Sequence, residues 1–197
     1  MSTNRVSGSL SRRKGLSIQA MTRMVIFTVL TAVGAFIKIP IPVCPFTLQF
    51  LFTMLAGLLL GAEEGALSVG IYVLLGLVGL PIFTEGGGFW YLIKPSFGYL
   101  IGFIVASYVT GKIAAKEEFP SLKRLLMANF LGLAIVYIFG MVYYYIICNF
   151  VIHTPISPAL IFLYCFLMAV PGDILLCILA AFLTRRLKPL LANIGRI

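Results

Sequence analysis

Acidic residues are scarce in this chain: six Asp and Glu stand against fifteen Lys and Arg. Charged residues of both signs make up only 11% of it, while 61% is hydrophobic. That balance, with a mean hydropathy of +1.08, lies outside the range of soluble domains. So few ionisable groups leave no charged chain of the kind a proton relay uses. Histidine is limited to His153, beside Pro155 and without a second His or carboxylate nearby, which argues against a metal site. The four cysteines, Cys44, Cys148, Cys165 and Cys177, contain no C-x-x-C pair and read as small apolar packing residues. No phosphate-binding G-x-x-x-x-G-K-[ST], no H-E-x-x-H and no G-x-S-x-G occurs. A protein of this kind that handles a solute must borrow its energy or work passively. No cofactor is expected.

Long apolar stretches are present in abundance. Proline and glycine divide them into helices expected near 17–38, 46–61, 65–80, 95–115, 122–149 and 159–185. Spans of about 20 residues cross a bilayer, so the expectation is an all-α membrane protein, a six-transmembrane-helix bundle. Residues 1–16 would form a cytoplasmic N-terminal segment, 17–188 the membrane domain and 189–197 a cytoplasmic tail. The basic run Arg5, Arg12, Arg13 and Lys14 precedes an apolar run too long for a signal-peptide core and without an A-x-A-like exit, so the first helix is expected to stay uncleaved.

Charge placement fixes the orientation. Thirteen of the fifteen basic residues, all but Lys38 and Lys94, fall in segments that an even number of spans puts on one side. By the positive-inside rule both termini are cytoplasmic, and loops 39–46, 80–95 and 149–158 face outward. The net charge of +9 then reflects this bias and anionic headgroups rather than nucleic-acid binding. No internal repeat is visible.

Asp173 is the most costly residue. A carboxylate at bilayer mid-depth costs about 2.5–3.5 kcal/mol on insertion scales, so it should face a cavity or a partner. A structural alternative is an Asp that bonds backbone freed by Pro171. The outward loop places Phe83, the triplet Gly86, Gly87 and Gly88, then Tyr91 and Lys94 close together. Glycines let backbone approach a ligand, aromatic rings offer flat walls, and a cation suits a ligand carboxylate. An interfacial aromatic belt with a flexible turn explains the same residues. Gln49, one turn into the second helix, is a neutral donor and acceptor for a ligand or for helix–helix glue. Tyr137, Tyr143, Tyr144 and Tyr145 read mostly as belt residues, and Lys38 as a lysine that snorkels to the interface.

The sequence resembles the BioY family, the biotin-binding S components of energy-coupling-factor (ECF) transporters, from about residue 20 to 184. The resemblance is carried by Val33-Gly34-Ala35 with Ile39-Pro40-Ile41-Pro42, by Pro45-Phe46-Thr47-Leu48-Gln49, and by Leu55-Ala56-Gly57 through Gly61. It continues in Gly65-Ala66-Leu67-Ser68, Gly79-Leu80-Pro81-Ile82-Phe83, Pro95-Ser96-Phe97-Gly98-Tyr99 through Phe103, and Pro171-Gly172-Asp173. It implies a non-enzymatic capture subunit in the cell membrane of a prokaryote-type cell. The site would open outward under the loops between helices 1 and 2 and between 3 and 4, and the subunit would dock on a T component driven by two ATPases. For biotin as ligand, the expectation is Asp173 and Gln49 at the ureido group, Phe83, Tyr91 and Gly86–Gly88 around the rings, and Lys94 at the valerate. Small residues at four-residue spacing on helix 1 would meet the T component; here the register reads Ala20, Met24, Thr28, Ala32. The chain departs from the family in having Leu176 where a lysine often follows the Asp by one turn, and Lys94 where glycine or glutamine is commoner. Alternatives are an S component for another carboxylated vitamin such as lipoate, an intramembrane enzyme, and an assembly subunit without ligand.

Overall fold

The computed structural model describes residues 17–39 and 46–194. The expected N-terminal segment 1–16, most of the first outward loop with Cys44, and the last residues of the tail lie outside that range. The described residues are mostly helical. Helix α1 (Ile18–Phe36) starts at Ser17, whose hydroxyl accepts from the Ala20 N–H at 3.1 Å, satisfying one of the orphan donors of a helix start. Its C-terminal end feeds a short hairpin in which β1 (Lys38–Ile39) pairs antiparallel with β2 (Phe46–Thr47), Lys38 opposite Thr47 and Ile39 opposite Phe46.

The second helix was expected from residue 46; the hairpin takes Phe46 and Thr47, so α2 runs Gln49–Leu60. The third was expected from residue 65, but α3 runs Ala62–Val78. Gly61, at φ 93°, reverses the chain in one residue, a backbone region open to glycine. Glu63 and Glu64 then fall in the first turn of α3, where the helix dipole favours anions. A 3-10 turn (Phe89–Ile93) leads to α4 (Phe97–Ala114). Ser121 caps α5 (Leu122–Ile146), which ends in a π-helical turn, Ile147–Val151. A short α6 (Pro158–Ile161) passes through a π-helical stretch, Phe162–Leu167, into α7 (Val170–Ile194). This last helix continues beyond the expected end near 185 and past Pro189.

By length and composition, four helical stretches suffice to cross a membrane: Ile18–Phe36, Phe97–Ala114, Leu122–Val151 and Pro158–Leu191. With α2 apolar but only 12 residues long, this is a mostly helical, multi-pass membrane architecture.

Small residues set the packing, as expected where lipid offers no hydrophobic drive between helices. The closest pair, α4 against α5, meets at Gly102, where a Cβ would sit 2.9 Å from the Val136 Cα. Helices α2 and α3 meet at Gly65, where a Cβ would come within 2.8 Å of the Ala56 carbonyl oxygen. Helix α1 lies on α3 through Met24 and Thr28, both buried. The Thr28 hydroxyl is 2.9 Å from both the Met24 and Ser68 carbonyl oxygens, and Ser68 Oγ donates to Met24 O at 3.0 Å.

Candidate functional site

A cavity with about 660 Å³ of empty space, its open mouth included, lies between α2, α4, α5 and the start of α7. Its walls are mostly aromatic and aliphatic: Phe46 and Phe50 on one side, Tyr99, Leu100 and Phe103 from α4, Val136 from α5, Tyr91 from the 3-10 turn. Polar groups converge at a few points, Thr47, Gln49, Thr84, Ser96, Tyr137 and Asp173. Among the described residues, no Lys or Arg lines it.

Asp173 enters from the first turn of α7, buried. The preceding Pro171 lies in that same first turn, where a missing N–H leaves no helical bond unmade. The Asp173 N–H donates to Ala169 O at 3.1 Å, so its backbone is satisfied inside the helix. Its carboxyl oxygen Oδ2 accepts from the Tyr137 hydroxyl at 2.5 Å, across from α5. The Tyr137 ring stands edge-on to Tyr99 (6.3 Å, 85°) and to Phe166 (5.0 Å, 73°), which fixes the direction of its O–H.

Gln49 opens α2 and is also buried. Its amide nitrogen donates to the Tyr72 hydroxyl at 2.7 Å, and Tyr72 donates onward to Ile82 O at 3.1 Å. Thr47 Oγ1 donates to Gln49 Oε1 at 3.3 Å. The side chain is therefore held in one orientation, with one N–H and one lone pair still uncommitted.

Phe83, 1% exposed, lies behind the lining rather than in it. Its ring packs edge-on to Tyr72 (5.4 Å) and tilted against Tyr91 (4.5 Å), so it supports the Tyr91 wall. The glycine triplet is likewise outside the lining. Gly86 and Gly88 have φ of 108° and 106°, and the turn is tied by Phe83 N–H to Gly86 O (2.9 Å) and Gly88 N–H to Gly76 O (2.7 Å). These glycines let the loop fold down on the end of α3.

Lys94 sits near the rim with Nζ 2.8 Å from Glu85 Oε2. The Glu85 hydrogen bond and charge raise the Lys94 pKa above its ordinary value. Lys38, expected to snorkel, instead donates to Thr84 O at 2.9 Å and clasps the hairpin to the loop. The Tyr143 hydroxyl anchors the same loop to α5 through Leu92 O. Of the expected ligand residues, the fold thus brings Gln49, Tyr91 and Asp173 into one cavity; Phe83 backs it, and Gly86, Gly87, Gly88 and Lys94 belong to the loop beside it.

The expected docking register has a different setting. Thr28 bonds to Ser68 of α3 inside the chain, Ala20 is buried, and Ala32 is half-buried. The exposed flank of α1 carries Met21, Val25, Val29 and Val33.

Sequence reasoning assigned Tyr137 to the interfacial belt and gave no role to Thr84, Ser96 or Tyr99. A usable signal was depth: Tyr137 falls at the middle of the apolar stretch Leu122–Val151, where a belt tyrosine does not belong. The others carry no distinguishing pattern.

Comparison with known proteins places this geometry. The chain is 44% identical over 174 residues to the "Probable biotin transporter BioY" of Lysinibacillus sphaericus, covering 88% of this chain and 89% of that one. It is 40% identical over 169 residues to the "Biotin transporter BioY" of Thermotoga maritima, covering 84% and 93%. A crystal structure described as the S-component for biotin from an ECF-type ABC transporter superposes with a TM-score of 0.73 at 29% identity, covering 87% of this chain and 92% of that one. The model of the BioY family matches residues 6–193. Nearly the full length is covered, and the chain belongs to the BioY family.

Proposed function

We propose that this chain is the substrate-capture S component of an ECF-type vitamin transporter, binding biotin from the outside and delivering it through a T component powered by two ATPases. The polar end of the cavity carries the reading. Asp173 and Gln49 reach the same enclosed space from α7 and α2, and a cyclic urea offers the N–H donors and carbonyl acceptor that such a pair can meet. Tyr91, backed by Phe83, would lie against the bicyclic ring, under the loop shaped by Gly86–Gly88. Lys94 would exchange Glu85 for the ligand carboxylate at the mouth. Two or three buried hydrogen bonds of about 1.5–3 kcal/mol each, with ring burial, are compatible with nanomolar affinity, about −12 kcal/mol.

In this proposal six helices cross the membrane, with both termini cytoplasmic. Helix α1 meets the T component through Ala32 and its exposed flank, while Thr28 holds it on α3. The test is binding of labelled biotin to the purified, detergent-solubilised protein with unlabelled lipoate as competitor. Tight binding that lipoate does not displace is expected. A folded sample that binds lipoate and not biotin would overturn the ligand assignment.

A further inference from the structure

We infer that Tyr137 is a positioning residue for ligand recognition: its hydroxyl pins Asp173 Oδ2, so that Oδ1 alone is presented to an N–H donor on an uncharged ligand head. The inference rests on the functional reading above and deepens it.

Three observations lead there. First, Asp173 is buried and lines the cavity, yet the lining contains no Lys or Arg among the described residues. Leu176, one turn further along α7, is a buried core residue. The donor that reaches the acid is the neutral Tyr137 O–H at 2.5 Å. Second, the terminal torsion of an aspartate is broad, so an untethered carboxyl group would sample several orientations. A bond from α5 to α7 fixes that torsion before any ligand arrives and moves its ordering cost from binding to folding. Third, the tyrosine is itself held, by edge-on contacts to Tyr99 and Phe166. These contacts belong to the ring and not to the hydroxyl.

The consequence is chemical selectivity. With one carboxyl oxygen occupied and no cation in the lining, the inner end of the cavity accepts N–H donors and repels an anionic group. A ligand bearing a cyclic urea at one end and a carboxylate at the other can enter in one direction only, urea first.

The third observation makes the test clean, because Tyr137→Phe removes the hydroxyl and keeps the ring. Biotin affinity of purified wild type, Tyr137→Phe, Asp173→Ala and the double variant is measured, with ligand-free melting of each. Tyr137→Phe is expected to weaken biotin roughly tenfold, the scale of one buried hydrogen bond, with little change in ligand-free melting. In the Asp173→Ala background, which leaves no acceptor for the hydroxyl, the same substitution should change affinity by no more than about twofold, because its effect passes through Asp173. A second arm needs no Asp173 variant. Biotin methylated at one ureido nitrogen or the other lacks that N–H, and for one of the two isomers the Tyr137→Phe penalty should vanish. Unchanged biotin affinity in Tyr137→Phe, or a penalty that persists in full in the Asp173→Ala background and with both methylated ligands, would overturn the inference. Failure of the wild type itself to bind biotin is recognisably different: it sinks the functional reading, and this inference with it.

Discussion

Lys94 and Glu85 illustrate how a single side chain can be visible in the sequence and still be misjudged in its setting. A lone outward lysine reads as a free cation for a carboxylate, but the glycine turn folds Glu85 back onto it at 2.8 Å. Both groups are about half exposed, so the pair is screened and contributes little to stability. If the ligand carboxylate competes with Glu85 for Lys94, two substitutions should move affinity in opposite directions. Glu85→Gln frees the ammonium and should tighten biotin binding a few-fold, whereas Lys94→Ala should weaken it a few-fold, the range of exposed pairs at about 0.2–1 kcal/mol. Unchanged affinity in both variants would remove Lys94 from the site. The pH sign follows from the raised Lys94 pKa. A raised lysine keeps its pair below its unfolded value, about 10.4, and loses it only as pH rises through the higher folded value. The Lys94 contribution to binding should therefore be flat across neutral pH. Asp173 was legible for a different reason: a buried acid in an apolar helix has a cost that demands an explanation. Tyr137 was not, because its neighbours Tyr143, Tyr144 and Tyr145 lie toward the helix end, where tyrosines need no explanation, and they masked its own mid-stretch position.

Helices and loops follow the same division. The apolar stretches and their proline and glycine boundaries locate the long helices among the described residues, since each reflects local hydropathy and backbone freedom. The starts of α2 and α3 were displaced by tertiary pairing and by one left-handed glycine, which no local pattern announces. The packing role of the loop between α3 and α4 was equally hidden. Its glycines were read as ligand contacts, yet they seat Phe83 on Gly76, where a Cβ would overlap the phenyl ring. Gly76→Ala should therefore push Phe83 outward, carry Tyr91 with it, and reduce biotin affinity tenfold or more, with an overpacking cost of about 1–3 kcal/mol. Gly79, at φ 122° with nothing within 4 Å of a Cβ, gives the contrast. Gly79→Ala strains the backbone by about 1–3 kcal/mol but should leave affinity nearly intact. Calorimetric titration with parallel melting curves separates the two, and equal losses of affinity would mean that Phe83 does not hold the cavity wall.

The distribution of charge along the bundle gains meaning once the ends are compared. At one end, Arg23 reaches Glu64 at 3.7 Å, and Gly111 lies against Gly61 and Ala62. The start of α1, the α2–α3 turn and the end of α4 are thereby grouped, together with Lys112, Lys116, Lys123 and Arg124 nearby in sequence. At the other end, Lys38 clasps Thr84, Lys94 pairs with Glu85, and the loop caps the cavity. The two basic residues that break the positive-inside pattern both bond to the loop between α3 and α4, Lys38 to Thr84 and Lys94 to Glu85. This grouping comes from contacts, independently of the charge rule, yet both divide the chain in the same way. An orientation with the basic end in the cytoplasm puts the cavity mouth outside, where a capture subunit needs it. Two single-cysteine reporters decide it: Phe89→Cys in the exposed loop and Lys116→Cys after α4, each probed in intact cells with a membrane-impermeant thiol reagent. Labelling at 89 without permeabilisation, and at 116 only after it, is expected. The reverse pattern would turn the mouth toward the cytoplasm, and uptake from outside could not begin at this site.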